Sequence, residues 1–208
     1  MATYPTLPAA IRTQALRAPG TEIYYPEVAG LSNPAAEHAI NRAIRQAVQA
    51  LARRQQEVQT GTNPQTLGSY EIKTNERGIL SLTLSNYTYS QGMAHGMTYL
   101  KSLTFDTSTG RAYELSDLFK PGSGYAAALS QQVAGQIQQR GIQTLQPFTS
   151  IRPDQDYYLA DKALVIYFQL YEITPYYVGF PMFPISVYSV QPMVAEGGPL
   201  DRLSADIG

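Results

Sequence analysis

Residues 79–119 read ILSLTLSNYTYSQGMAHGMTYLKSLTFDTSTGRAYELSDLF, and this stretch decides the fold. Leu80, Leu82 and Leu84 alternate with Ser81, Thr83 and Ser85, the period of a strand with one buried and one wet face. The strand continues through Asn86-Tyr87-Thr88-Tyr89, pauses at Ser90 to Gly96 and resumes from Met97 to Phe105. Asp106-Thr107-Ser108-Thr109-Gly110 has the residues of a tight turn, Arg111-Ala112-Tyr113-Glu114 those of a short return strand, and Leu115 to Phe119 closes the segment.

Upstream, Tyr70 to Lys73 forms a hairpin with Ile79 to Leu84 across Asn75-Glu76-Arg77-Gly78, preceded by a polar loop over Gly61 to Gly68. Asn33-Pro34 is an N-cap followed by proline at the first helical position. Ile40, Ile44, Val48 and Leu51 then recur at helical spacing, which predicts a helix from Pro34 to about Gln56. Its other face carries Arg42, Arg45, Gln49 and Arg53, either a solvated face or a docking surface for something acidic. Ile11 to Leu16 and Glu22 to Val28 are β-favouring runs on either side of Ala18-Pro19-Gly20.

Downstream, Tyr125, Leu129, Val133 and Ile137 mark a second helix, with Gly141 at its C-terminal cap. Asp156 to Leu159, Ala163 to Leu170 and Phe183 to Val190 are further strand candidates. The order predicts an α+β fold, a largely antiparallel sheet with two main helices packed against it. No linker-like stretch interrupts it, so the expectation is a loose segment over 1–10, one domain over 11–192 and a loose tail over 193–208. Within that domain, 11–60 supplies the first strands and helix, and 68–192 the sheet-helix-sheet region.

Composition excludes several function classes. The chain has 208 residues, 15 basic and 16 acidic, a net charge of −1 and no cysteine. That balance gives no electrostatic case for nucleic acid or an anionic membrane, and the missing thiols rule out disulfides, thiolate metal sites and a cysteine nucleophile. No apolar run approaches the length of a membrane span, and MATYPTLPAAIRTQ lacks the basic-then-apolar order of a signal peptide. With only His38 and His95, a zinc site would lean on carboxylates, and neither histidine has a second at ligand spacing. No phosphate loop or nucleophile elbow is present, so no metal, cofactor or catalytic residue is assigned.

Two loops remain as candidate binding sites. In the first, Gly92 and Gly96 flank His95, so Tyr89, Gln91, Gly92, Met93, His95 and Gly96 form either a ligand-presenting loop or a wide hairpin connection with a locally bonded histidine. In the second, Tyr171, Glu172, Tyr176 and Tyr177 cluster around Pro175, as rings paving a cleft or as core at a sheet end. Asp106, Asp117, Asp161 and Glu172 could supply a carboxylate pair for glycan hydrolysis, while Asp106 and Asp117 also read as turn and helix caps.

The run TYSQGMAHGMTYLKSLTFDTSTGRAYELSDLF resembles a family pattern of aromatic strand, Gly-Ala-His-Gly-type loop, Asp before a Thr-Gly turn, and Leu-x-Asp-Leu-Phe closure. YYLADKALVIYFQLYEITPYYVGFPMFPISV resembles the same family's second hallmark, and YYPEVAGLSNPAAEHAINRAI its N-terminal part. The family is the bacterial extracytoplasmic domain of unknown function shared by RsiV-type anti-sigma factor ectodomains, which sense lysozyme, and the non-catalytic N-terminal region of PdaC-type peptidoglycan deacetylases. Where relatives often place two glycines before Ala-His, this chain has Gly92-Met93. The resemblance implies a non-enzymatic extracytoplasmic domain, secreted or anchored by a segment outside this chain. Its implied partner is a lysozyme-like protein or cell-wall glycan, with no nucleic acid and no membrane span. The alternative is a cell-envelope hydrolase using Glu172 or Asp106 with His95.

Overall fold

The structure is a computed structural model, and it describes residues 7–204. The chain divides into two compact units, residues 1–112 and 113–208, inside the span that the sequence reading draws as one domain. The boundary falls within residues 79–119, and each unit has its own sheet and helix.

In the first unit, β1 (Ala10–Ala18) and β2 (Thr21–Ala29) form a hairpin, and α1 (Pro34–Val58) follows. Next come β3 (Thr62–Glu76), β4 (Ile79–Gln91) and β5 (Met97–Asp106), giving the sheet order β1-β2-β3-β4-β5. Every pairing is antiparallel except β2 with β3, which run parallel over Thr21–Ile23 against Thr66–Gly68 because α1 carries the chain back between them. Asn33 caps α1 by accepting from Ala35 N (3.0 Å) and Ala36 N (3.3 Å), and Pro34 sits where no amide is needed. Ile40, Ile44, Val48 and Leu51 bury the helix's apolar stripe against Ile23, Leu80, Leu82 and Leu84. Arg42, Arg45, Gln49 and Arg53 are exposed.

One polar residue in this interface has a specific task. Beyond Ile23, β2 leaves β3, so the backbone of Val28 has no strand on that side. Buried Asn41 takes its place, with Val28 N donating to Asn41 Oδ1 and Asn41 Nδ2 donating to Val28 O, both 2.8 Å. A buried backbone amide left unpaired would cost about 1–3 kcal/mol, which explains an asparagine in the middle of an apolar helix face.

Three local expectations change. Thr62 to Gly68, read as loop, is strand, because β4 extends to Gln91 and β3 supplies its partner. The second face of β4 is not uniformly wet. Ser81 and Thr83 are buried there, the Ser81 hydroxyl bonding that of Thr104 at 2.9 Å, and the face opens only at Tyr87 and Tyr89. The start of the chain is pinned at Ala9, whose N and O both pair with the Asn75 side chain at 2.8 Å. The rest of the segment expected to be loose, residues 1–6, lies outside the described residues.

The second unit holds α2 (Tyr125–Gln139) and an antiparallel sheet of β6 (Tyr157–Ala160), β7 (Ala163–Tyr167) and β8 (Met182–Ser186) in that order. Leu129 and Val133 bury the face of α2, and Gly141 ends it at φ +61°. The free edge of β8 is closed by that helix: Gln136 Nε2 donates to Pro184 O and Arg140 Nη1 to Met182 O, each at 2.8 Å. The tail expected loose from 193 is instead anchored. Val194 bridges Phe119, Ala195 N donates to Leu118 O at 3.0 Å, and α3 (Pro199–Ser204) buries Leu200 and Leu203. Its apolar pair supplies the reason, since two buried leucines hold a single helical turn. Residues 205–208 lie outside the described residues. The architecture is α+β, with two helices each packed on a mainly antiparallel sheet.

Candidate functional site

The turn between β4 and β5 places the first set of candidate residues. Met93 N donates to Ser90 O at 3.1 Å, Gly92 takes φ +96°, and Gln91, Gly92, Ala94 and His95 are exposed. His95 Nδ1 lies 2.8 Å from Gly96 O, the local bond of a hairpin connection. Gly96 is dictated by packing. Met97 pairs with Thr88 in the register, and the Tyr87 ring lies across the position a Gly96 Cβ would occupy. Tyr87 and Tyr89 flank this tip, each about one-third exposed at 36%. The tip is thus a projecting surface with an aromatic ring laid against its base.

The second set sits on the connection from β7 to β8. Tyr171 adopts φ +64°, and its ring is 5.5 Å from that of Tyr176, while Tyr177 is 75% exposed with its hydroxyl 3.2 Å from Gln143 Oε1. Glu172 organises the turn. Its Oε2 accepts from Gln169 N at 2.7 Å, its Oε1 from Gln155 Nε2 at 3.4 Å, and Arg152 pairs with the same oxygen. Gln155, itself buried, also donates to Tyr167 O at 2.9 Å, so the carboxylate is tied to the end of β7. Burial works against the Arg152 charge, yet bonding to Glu172 and the nearby Asp154 and Asp156 hold the guanidinium more firmly protonated than usual. Thr174, fully buried, leaves its hydroxyl without a partner.

Asp106 and Asp117 do backbone work. Asp106 Oδ1 accepts from Ser108 N (2.8 Å) and Thr109 N (2.9 Å), and the turn it shapes brings Gly110 so close to α1 that a Cβ would stand 2.7 Å from Ala36 Cα. Asp117 Oδ2 accepts from Glu114 N at 2.9 Å in a reciprocal capping box. His95 and Asp106 lie at opposite ends of the ten-residue β5. At ~3.3 Å per residue they are about 30 Å apart, so the pairing that a hydrolase would need between them does not form. Among the described residues no three His, Cys, Asp or Glu side chains gather as metal ligands.

A cleft in the first unit escapes sequence reasoning. It has a volume of about 410 Å³ and lies where the last turns of α1 pass over the ends of β1, β2, β3 and β4. Ala52, Gln55, Gln56 and Gln59 of the helix face Leu16, Ile23, Thr66, Thr88 and Ser90. Beside it, buried Asn86 Nδ2 has no partner and borders a void of about 10 Å³, room for roughly one water. The only sequence trace of this cleft is the glutamine run near the C-terminus of α1.

On the far face of the sheet, Arg17, Glu22 and Tyr24 form an exposed cluster. Arg17 Nε is 3.1 Å from Glu22 Oε1, and the Tyr24 hydroxyl donates to that oxygen at 2.6 Å. The Tyr24 bond first, and Arg17 second, hold the Glu22 carboxyl below its ordinary range.

The molecule is therefore an α+β protein in which Asp106, Asp117 and Glu172 accept from backbone amides. Two family models match it, one in each unit. Residues 18–98, inside the first unit, match "Deacetylase PdaC", and residues 116–188, inside the second, match "Protein of unknown function (DUF3298)". Together with the relative described next, these matches support a shared DUF3298/PdaC-type domain, in line with the sequence hallmarks. It is 28% identical over 182 residues to anti-sigma-V factor RsiV of Bacillus subtilis strain 168, covering 79% of this chain and 61% of that protein, so it spans about three fifths of that relative. Two solved DUF3298 proteins share the fold. One from Pseudomonas aeruginosa PAO1 has a TM-score of 0.70 at 16% identity, covering 97% of this chain and 98% of its own. One from Bacteroides fragilis NCTC 9343 has a TM-score of 0.67 at 13% identity with the same coverage. No helix among the described residues is long and apolar enough to cross a membrane.

Proposed function

We propose that this chain is a non-catalytic, extracytoplasmic sensing domain that recognises a lysozyme-like protein or cell-wall glycan through the β4–β5 tip. Tyr89, Gln91, Gly92, Met93, His95 and Gly96 make the contact surface, and Tyr171, Glu172, Tyr176 and Tyr177 form a secondary aromatic surface. The observation that carries the reading is the tip itself, where an exposed histidine and small residues project beside the Tyr87 ring packed over Gly96. Exposed tyrosines beside small residues suit protein or sugar recognition, because the rings bring apolar area with a polar end. The likeness to an anti-sigma factor supports a sensing role, with the location outside the cytoplasm.

The match to a deacetylase model does not favour catalysis here. A metal-dependent deacetylase gathers histidines and aspartates around its ion, whereas this chain has two histidines in all, and Asp106, Asp117 and Glu172 accept from backbone amides. The test is titration of the purified chain against lysozyme and against soluble muropeptides, followed by calorimetry and amide NMR. Saturable binding that perturbs Tyr89 to Met97 and falls in His95→Ala supports the proposal. Silence toward both ligand classes at millimolar concentration, or binding untouched by His95→Ala and Tyr89→Ala, overturns it.

A further inference from the structure

We infer that the cleft under the C-terminal turns of α1 is a binding site for a neutral saccharide of one or two rings, separate from the β4–β5 tip. Its volume of about 410 Å³ lies within the roughly 300–1,000 Å³ typical of small-molecule sites. The space exists because the residues around it are small. Ala18, Thr21, Ala52 and Thr66 do not reach across, and Gly61 is forced by the Gln91 carbonyl beside it.

The lining selects the chemistry. No ionisable side chain borders the cleft, so it offers nothing to stabilise a charged ligand. The lining mixes apolar surface, from Leu16, Ile23, Ala52 and Pro64, with the carboxamides of Gln55, Gln56 and Gln59 and the hydroxyls of Thr21, Thr66, Thr88 and Ser90. A sugar ring presents a matching mixture, C–H surface and hydroxyls that each donate and accept. Glutamine and threonine side chains do both as well.

The polar lining is organised before any ligand arrives. Ser90 Oγ donates to Gln59 Oε1 at 2.6 Å, and Gln59 Nε2 lies 3.3 Å from Gln55 Oε1 and 3.4 Å from Thr88 O. Gln55 Nε2 donates to Asn86 O and Met97 O, both at 2.8 Å, and the hydroxyls of Thr66 and Thr88 are 2.9 Å apart. These bonds fix the rotamers, so binding orders few side chains, which lowers its entropic cost. An extended peptide fits less well. The strand edges between β2 and β4 at the cleft are already used, β2 with β3 over Thr21–Ile23 and β3 with β4, and strand addition would have to use the outer edge of β1, at the rim of the sheet.

The experiment is an amide NMR titration of the full 208-residue chain with cellobiose and N,N′-diacetylchitobiose. Digalacturonate serves as the charged counterpart and triglycine, blocked at both ends as its N-acetyl amide, as the neutral peptide. The expected result is saturable shifts at Ala18, Gln59, Thr66, Thr88 and Ser90 with at least one neutral disaccharide, and weaker binding of digalacturonate. Ala52→Leu fills the cleft from a helical position that favours leucine, and should weaken binding by about tenfold or more while the spectrum stays folded. His95→Ala should leave this affinity unchanged, which separates the cleft from the tip. Absence of saturable shifts, shifts centred on residues 89–97, triglycine binding as well as the sugars, or unchanged affinity in Ala52→Leu would each overturn the assignment.

Discussion

The tip at 90–96 and the connection at 169–179 are both loops rich in glycine or tyrosine between adjacent antiparallel strands, yet they are held in opposite ways. The tip has one local backbone bond, a histidine bonded to its neighbour, and an aromatic ring laid over a glycine. The 169–179 connection is closed around Glu172, which gathers a backbone amide, a buried glutamine and an arginine. Similar composition therefore hides a difference in where stability resides. Side-chain loss is therefore expected to cost the fold less in the first loop than at Glu172 in the second.

The sharpest way to break this contrast is Glu172→Ala. The change strands Gln169 N and one donor of Gln155 in a half-buried turn and leaves Arg152 with only the more exposed Asp154 as its ion-pair partner. A loss of about 2–3 kcal/mol is expected from two unsatisfied donors, read as a lower urea midpoint at unchanged slope. Glu172→Gln, which keeps one acceptor, should lose about half as much. A loss below about 0.5 kcal/mol for Glu172→Ala would show that the connection is not held by its carboxylate.

A smaller effect is expected at the tip. Gly96→Ala puts a Cβ where the Tyr87 ring lies, but the ring is the exposed end of a side chain and can swing aside, so a cost of about 1 kcal/mol follows. Tyr87→Ala alone should cost less, and the double variant should recover most of the Gly96→Ala loss. A double-mutant cycle with coupling under about 0.3 kcal/mol would remove Tyr87 as the reason for that glycine.

Much of this architecture was legible in the sequence because it obeys local rules. Asn33-Pro34 announced α1, Leu80-Leu82-Leu84 announced β4, and Asp106 and Asp117 announced the caps they form. Thr62 to Gly68 escaped because its proline, glycine and polar residues carry no alternation. Gly68 is there for packing, since a Cβ at that position would meet Ile23 Cγ2. The division after Ala112 has no linker to mark it. The cleft was invisible for a deeper reason. It draws on residues from 16 to 90 and depends on a three-residue parallel pairing, Thr21–Ile23 with Thr66–Gly68, which leaves no periodic trace. The candidate loops were found by composition, but composition alone did not say that Glu172 spends its charge on the backbone.

The smallest expected effect supplies the control for that last point. Glu22 is also a glutamate paired with an arginine, but its partners are only the side chains of Tyr24 and Arg17, all of them on an open sheet face. Its carboxyl is held below the ordinary value, with the Tyr24 hydroxyl the larger cause and Arg17 the next. A lowered folded-state pKa means that the contribution is present above the ordinary glutamate range and is lost as pH falls through the folded value. Solvent screens so exposed a pair, so the effect on stability should be slight. The direct reading is a carboxyl-carbon NMR titration. Glu22 should titrate below a model glutamate in the intact chain and move back up in Tyr24→Phe, with the unfolding midpoint nearly still. If Tyr24→Phe leaves the Glu22 titration where it was, the hydroxyl is not the cause. If it lowers the midpoint as far as Glu172→Ala does, side-chain partners alone hold a loop as well as backbone amides do, and the contrast between the two surfaces falls.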